Sequence, residues 1–379
     1  MRDVMGIIYT SKNDLMLREL TMSRAVAALP VAGRYRMIDF ILSNLVNTGI
    51  RNVGVIMQRN YHSLVDHLGS GREWDLHTRN DGLFILPPFL TKDNVGTYEG
   101  ILDALQSNLG YLNRSKQEYL ILTNSHTAFN TTFHGMIEEH ERSGAEITLM
   151  YAELEAGGEG MDPTQRKRHA YLRVNGESGR VEDLEVGPER PESRCIYMDV
   201  MLMKRKLLLR LIDQAYAHGL HNLNRDILQR FIRDDLLRVN GYRYRGYQRR
   251  VETVDTYFRF NMDLINRSVR DALFRANPVY TKIRDEVPTY YAPSSKVRNT
   301  LVADGCIIEG SVEGSILFRG VRIGRGSSVK NSILMQEDSI GANVELENAI
   351  LDKGVRVGDG ERLVGPASYP IVIGKNSVI

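Results

Sequence analysis

Residues 5–44 read MGIIYTSKNDLMLRELTMSRAVAALPVAGRYRMIDFILSN, and the fold turns on how this stretch is parsed. Val4 to Tyr9 is a short apolar run of the kind that forms a buried parallel strand. Met37-Ile38-Asp39-Phe40-Ile41-Leu42 carries the apolar spacing of a helix face. The residues between them form a strand-to-helix loop. In an open α/β sheet that loop sits at the carboxyl end of the first strand, where such folds bind ligands and glycine-rich backbone N–H groups usually hold phosphates.

Downstream the same alternation continues. Asn52 to Gln58 reads as a second buried strand and His62 to Leu68 as a short helix, and 70–96, rich in polar and turn residues around Trp74, reads as an irregular excursion. Tyr98 to Leu112 repeats Ile101, Leu102, Leu105, Leu109 and Leu112 at helical spacing. Glu118 to Thr123 is a strand ending in Asn124-Ser125-His126, followed by a helix at Phe133 to Arg142 and a strand at Glu146 to Tyr151. Gly157 to Gly160 and the MDPTQRKRH after it read as an exposed loop, with Arg166 to His169 as a solvated turn. Ile196 to Met203 gives a strand, Leu207 to Ala217 a helix, and Val254 to Leu264 an amphipathic stretch. Alternating strands and helices predict a parallel sheet with covering helices.

From about Tyr290 the helical spacing disappears and an internal repeat replaces it. Ser315-Ile316-Leu317, Ser332-Ile333-Leu334 and Ala349-Ile350-Leu351 recur every seventeen residues, and Ile323, Ile340 and Val357 keep that interval. Each repeat is read as one triangular coil of a parallel β-helix, and coils must stack to bury their apolar sides. The predicted organisation is an α/β domain over 1–265, a linker over 266–289 and a β-helix over 290–379.

With 379 residues, 42% hydrophobic and 25% charged, the chain can bury a sizeable core. A net charge of +2 gives no basic stripe for nucleic acid or an anionic membrane. Cys195 and Cys306 lie far apart without metal-ligand spacing, and no signal peptide or long apolar run is evident, so a reducing cytoplasm is expected. No two histidines share a zinc-ligand spacing, and no metal centre is predicted.

RAVAALPVAGRYRMIDFILSN resembles the segment RAKPAVxFGGKxRxIDFxLSN of the sugar-nucleotide pyrophosphorylases, glucose-1-phosphate adenylyltransferase in particular. Further resemblances follow in order: Gln58 at the glutamine of GVxTQ that reads adenine, Gly100 and Asp103 within YRGTADAV, and Gly246 to Tyr257 against GYWRDVGTxxxY. This likeness implies a Rossmann-like, GT-A-like nucleotidyltransferase domain with a mixed sheet, followed by a left-handed parallel β-helix.

Where the family needs charge, the chain has lost it. The GGxGxRL loop falls on Ser11 to Leu17, with no glycine, an added Asp14, and Met16 at the arginine. Family lysines that meet phosphate fall on Val26 and Val186, and its two magnesium-binding aspartates fall on Ser125 and Arg250. Ile101 and Leu102 replace small residues that admit the base. Nucleotidyl transfer rests on positioning and on neutralising phosphate charge, and magnesium wants hard carboxylate oxygens.

The pattern resembles the non-catalytic, regulatory subunits of bacterial glucose-1-phosphate adenylyltransferase. It implies no catalysis by this chain alone, no cofactor of its own with Mg²⁺ held by the catalytic partner, and a hetero-oligomer, expected to be a tetramer. It also implies a sugar-phosphate effector near Arg24 and Arg36, although nearby basic positions of the family have become Ser23 and Pro30. Gln58, Gly100 and Asp103 complete the ligand candidates. The alternatives are a weak nucleotidyltransferase working through Asp255 or Asp103, and a sensor that binds without turnover.

Overall fold

The structure, a computed structural model, describes residues 3–10, 16–78, 81–88, 98–154 and 163–379. Its amino-terminal part is built on a nine-stranded mixed sheet. The strand Val4–Tyr9 sits centrally, parallel to Asn52–Ile56 on one side and to Tyr119–Asn124 on the other. Tyr119–Asn124 then pairs antiparallel with Cys195–Lys204, which also meets Ile147–Glu153 and Ala170–Val174. The central strands are apolar except at their ends, at Asn52, Thr123 and Asn124, because helices cover both faces.

The helix Met37–Asn47 is buried at ten of its eleven positions. Asp39 fixes its start by accepting from the Arg36 N–H at 2.9 Å. It lies so close to the sheet that a Cβ on Gly6 would come within 2.8 Å of Leu45. This explains a glycine in an otherwise bulky strand.

Three expectations need correction. Within 70–96, Gly82–Leu86 is an edge strand parallel to Asn52–Ile56; four apolar residues sufficed once the neighbouring strand supplied the ladder. The predicted single helix over Tyr98 to Leu112 is two, Ile101–Ser107 and Leu109–Arg114. Asn108 divides them, its side chain bonding back to the Ala104 carbonyl at 2.7 Å. The turn at Arg166 to His169 is only partly solvated, since His169 is buried. Ser11 to Leu15, with Asp14, and the Gly157 to Gly160 loop lie outside the described residues.

The carboxyl-terminal part is the β-helix that the repeat predicts: three parallel sheets of five short strands each. Ile316 pairs with Ile333 and Ile333 with Ile350, so like stacks on like inside. Ser315 and Ser332 continue the column, each hydroxyl accepting the N–H seventeen residues on. Asn299, Asn331 and Asn348 turn one corner with φ of 46°, 43° and 50°, a left-handed conformation that asparagine tolerates. The interval is not strict at the ends: Leu301 pairs with Ile316, and Ile350 with Val372. The last coil is therefore longer, and its extra residues carry Tyr369, whose ring lies 5.7 Å from the Arg18 guanidinium.

The two parts share one apolar cluster, in which Leu20, Phe40, Tyr257 and Phe260 pack with Ile316, Phe318, Ile333 and Ile350. Residues 266–289 comprise the helix Arg267–Phe274 and an irregular segment. Among the described residues, no helix is long and apolar enough to cross a membrane.

Candidate functional site

A cavity of about 330 Å³ opens at the carboxyl ends of Val4–Tyr9 and Tyr119–Asn124, the place an open α/β sheet reserves for ligands. Tyr9, Thr123 and Asn124 form its floor. Gly100, Arg168, Val186, Asn222 and Arg250 belong to its walls.

Arg250 dominates the chemistry. Gln248–Arg250 pairs antiparallel with Thr127–Phe129, placing Arg250 opposite Thr127 and beside the tip of the central strand. Its guanidinium is ion-paired with Asp199 and, with Nε at 2.8 Å, with Glu252. Asp199 sits where the Cys195–Lys204 strand slips register between Tyr197 and Met201, at φ 54°. That bulge re-aims its carboxylate into the cleft. Asp199 also accepts from Asn124 at 3.0 Å and from Asn224 at 3.4 Å. Burial works against the charge on Arg250, yet Asp199 and Glu252 outweigh it and hold the guanidinium above its ordinary value.

Two histidines flank this network. Burial, with Arg250 beside it, pushes His126 well below the usual imidazole range, and the same causes bring His169 down to about 3. His169 Nε2 stands 3.8 Å from Glu252. At that distance a neutral imidazole makes no ion pair, so both rings are uncharged at neutral pH.

The residues at the family's two metal positions do not fit a magnesium ion. Ser125 is buried and its hydroxyl has no partner among the described residues, so it offers one neutral oxygen. Arg250 brings a cation, and the nearby carboxylate of Asp199 is already engaged by Arg250 and Asn124. Hard-ion coordination needs free carboxylate oxygens.

The nucleotide side is equally altered. Gln58 is 3% exposed and its amide donates to the Tyr9 hydroxyl at 2.6 Å, so the side chain is held within the protein. Val26 is buried in a short 3-10 turn, and Met16 is partly exposed with its carbonyl near the Val254 N–H. Val186 lines the cavity with an apolar side chain where a lysine would carry charge.

Gly100 is needed sterically, since a Cβ there would lie 2.1 Å from the His221 carbonyl oxygen. Asp103 caps the helix that follows, accepting from the N–H groups of Glu99 and Gly100, and its other oxygen meets His221 Nδ1 at 2.8 Å. Glu99, Asp103 and His221 are the three metal-ligand types that converge among the described residues. Both imidazole nitrogens already face carboxylates, which makes the group an ion-pair clasp at the cavity mouth. Asp255, the other alternative carboxylate, bonds Arg259 at 2.8 Å and lies outside this cavity.

Arg24 and Arg36 stand elsewhere, at the junction of the two parts. Arg24 is 2% exposed and paired with the fully buried Asp352 of the β-helix at 2.8 Å. Arg36 donates to the Ser63 carbonyl at 2.7 Å and to its hydroxyl at 2.8 Å. Burial, aided by Arg24 and Arg284, lowers Arg36 to about 10. Lys353, from the β-helix, is brought down to about 7 by burial and by Arg36 and Arg24. Cations crowd here.

Sequence reading missed Asp199, Glu252, His169 and Lys353. Glu252 and His169 flank singled-out positions and had weak signals; Asp199 depends on a bulge, and Lys353 on the docking of two domains.

Comparisons with known proteins agree with this layout. Residues 16–263 match the nucleotidyl transferase family, and 289–366 match the GlmU-like C-terminal hexapeptide family. The chain is 34% identical to the glycogen biosynthesis protein GlgD of Bacillus subtilis, with 99% of this chain and 96% of that protein covered. It is 34% identical to GlgD of Geobacillus stearothermophilus, covering 86% and 82%. To the glucose-1-phosphate adenylyltransferase of the same organism it is 33% identical, covering 83% and 80%.

Proposed function

Because the chain belongs to the nucleotidyl transferase family, in the group that holds GlgD and glucose-1-phosphate adenylyltransferase, we propose that it is a non-catalytic, regulatory subunit in glycogen biosynthesis. It acts in the cytoplasm. It assembles with a catalytic homologue, as a heterotetramer, and modulates that partner's synthesis of ADP-glucose from ATP and glucose 1-phosphate. Any magnesium ion is held by the partner.

One observation carries the reading: Arg250 lies in the cleft, ion-paired to Asp199 and Glu252. A triphosphate approaching this wall meets carboxylates and a guanidinium whose charge they already balance. Catalysis of nucleotidyl transfer depends on charges aimed at the transferring phosphate. These are aimed at one another.

The junction supports a regulatory role. Arg36 and Lys353 lose proton affinity because like charges and burial surround them, and a bound anion would relieve both. A sugar phosphate is the proposed effector, held by Arg36 and Lys353 while Arg24 stays locked on Asp352.

The test is to purify the chain alone, purify the catalytic homologue alone, and co-express the two. The chain alone should form no ADP-glucose above a blank, should co-purify with the homologue, and should change its rate or effector response. Turnover by the isolated chain that disappears in Asp255→Asn would replace this reading with that of a weak enzyme. Failure to co-purify would leave no regulatory subunit.

A further inference from the structure

At the mouth of the front cavity, Glu99, Asp103 and His221 each bring one oxygen or nitrogen to within 4.8 Å of the other two. The sequence gives no sign of this cluster, because the imidazole comes from a loop 118 residues beyond Asp103.

The fold sets the geometry. Asp103 Oδ2 accepts from the N–H groups of Glu99 and Gly100 at 3.1 and 3.2 Å, which leaves Oδ1 to face His221 Nδ1. His221 is held from behind: its N–H and that of Asn222 donate to Asp226 at 3.1 and 2.9 Å, and its carbonyl oxygen accepts from the Leu102 N–H at 3.4 Å. Glu99 is 73% exposed, so its side chain can swing to a ligand's distance without disturbing the core.

Charge is out of balance here. Asp199, Asp255 and Asp263 each have an arginine partner. Among the described residues, no lysine or arginine is ion-paired with Glu99, Asp103 or Asp226, and these three carboxylates share one imidazole. A proton on that ring offsets one negative charge. A divalent cation offsets two and takes a ring nitrogen as a ligand.

Ligand chemistry selects the ion. Imidazole with carboxylates suits zinc and its transition-metal neighbours, whereas magnesium prefers an all-oxygen shell. Ligand atoms about 2.1 Å from a zinc ion stand roughly 3.0–3.4 Å apart, so Nδ1 and Oδ1, at 2.8 Å, have little to move.

We propose that Glu99, Asp103 and His221 form a binding site for a zinc-class divalent transition metal ion, with water completing its shell. None of the three stands at the family's magnesium positions, Ser125 and Arg250. The ion ties the start of the Ile101–Ser107 helix to the His221 loop across the cavity mouth. The assignment does not rest on the regulatory reading, and either stands if the other fails.

The experiment strips the full chain with a chelator, removes the chelator, and titrates ZnCl₂ by calorimetry with MgCl₂ in excess. Saturation at one equivalent, unaffected by magnesium, is expected, and CoCl₂ should give visible bands stronger than those of the aqueous ion. His221→Gln and Glu99→Gln, both at exposed positions, should each weaken zinc binding about tenfold or more while leaving the metal-free melting temperature nearly unchanged. His77→Gln, at an exposed histidine elsewhere, should bind as the wild type does.

The proposal is overturned by absence of saturation at one equivalent, by zinc binding that magnesium displaces, or by wild-type affinity in either folded ligand variant. Loss of binding in His77→Gln would place the ion elsewhere and overturn it too. Should a ligand variant fail to fold, the wild-type cobalt spectrum decides the matter, and one unchanged from the aqueous ion sinks the site.

Discussion

The front cleft and the domain junction both gather arginines, and they use them in opposite ways. In the cleft, Arg250 sits between Asp199 and Glu252 and holds its proton more firmly than a free arginine. At the junction, burial first and neighbouring cations second make Arg36 and Lys353 hold theirs less firmly, against the pull of Asp39 on the one and Asp352 on the other. In the cleft carboxylates outweigh burial; at the junction burial outweighs them. Counting basic residues would have ranked the two alike; counting their partners separates them.

The most severe way to break this contrast is to empty the cleft of its cation. Arg250→Ala leaves Asp199 and Glu252 facing each other in a buried site and is expected to cost about 3–5 kcal/mol, read by chemical denaturation. Adding Asp199→Asn and Glu252→Gln should return much of that loss. A cost near zero for the single variant would mean that the cleft is not self-neutralised. Next in size is Arg24→Leu, which strands the buried Asp352 and is expected to cost about 3 kcal/mol. The midpoint of denaturation measures it, and an unchanged midpoint would make the junction's only fully buried ion pair among the described residues dispensable.

A falling pH acts on the junction above neutrality and on the cleft below it. His126 and His169 are neutral when folded and take up protons when unfolded, so their contribution is complete above the unfolded value near 6.5. It is lost as pH falls through that value toward about 3. Comparing the wild type with His169→Gln at pH 7 and pH 4.5 isolates the effect: the variant should lose less stability. An identical acid loss in both would show that His169 is already charged.

Lys353 gives a change of the same sign at higher pH. Its folded value of about 7 lies below the usual lysine value, so the unfolded chain binds more protons between 7 and 10.5, and stability rises with pH across that window. Lys353→Met should flatten this slope, raise the melting temperature by about 1–2 °C at pH 7, and abolish any stabilisation by fructose 1,6-bisphosphate. Retention of the anion effect in the variant would move the effector site elsewhere. Smallest of all is His221→Gln. Its clasp with Asp103 and Glu99 is exposed, so the melting temperature should move by less than about 1 °C.

The architecture was largely legible because its signals are periodic. Apolar runs mark the central strands, and a seventeen-residue interval marks the β-helix. Gly82–Leu86 escaped because a strand of five residues inside a polar stretch has no local signature and is defined by its neighbour. Loss of charge at Ser125, Val186 and Arg250 was visible by position alone. What could not be read was the replacement circuitry: Asp199 depends on a register slip, and Lys353 reaches Arg36 only after two domains dock. Single-sequence reading finds which charges have gone; the compensating ones come from distant parts of the chain.

The apolar cluster that runs from Leu20 and Phe260 into Ile333 and Ile350 has a practical consequence. Splitting the polypeptide between 266 and 289 would strip a hydrophobic flank from each fragment, so neither half is a portable module. Calorimetry of the intact molecule should record one endotherm, and a force applied to the solenoid would be transmitted to the nucleotidyltransferase-like body as to a single solid.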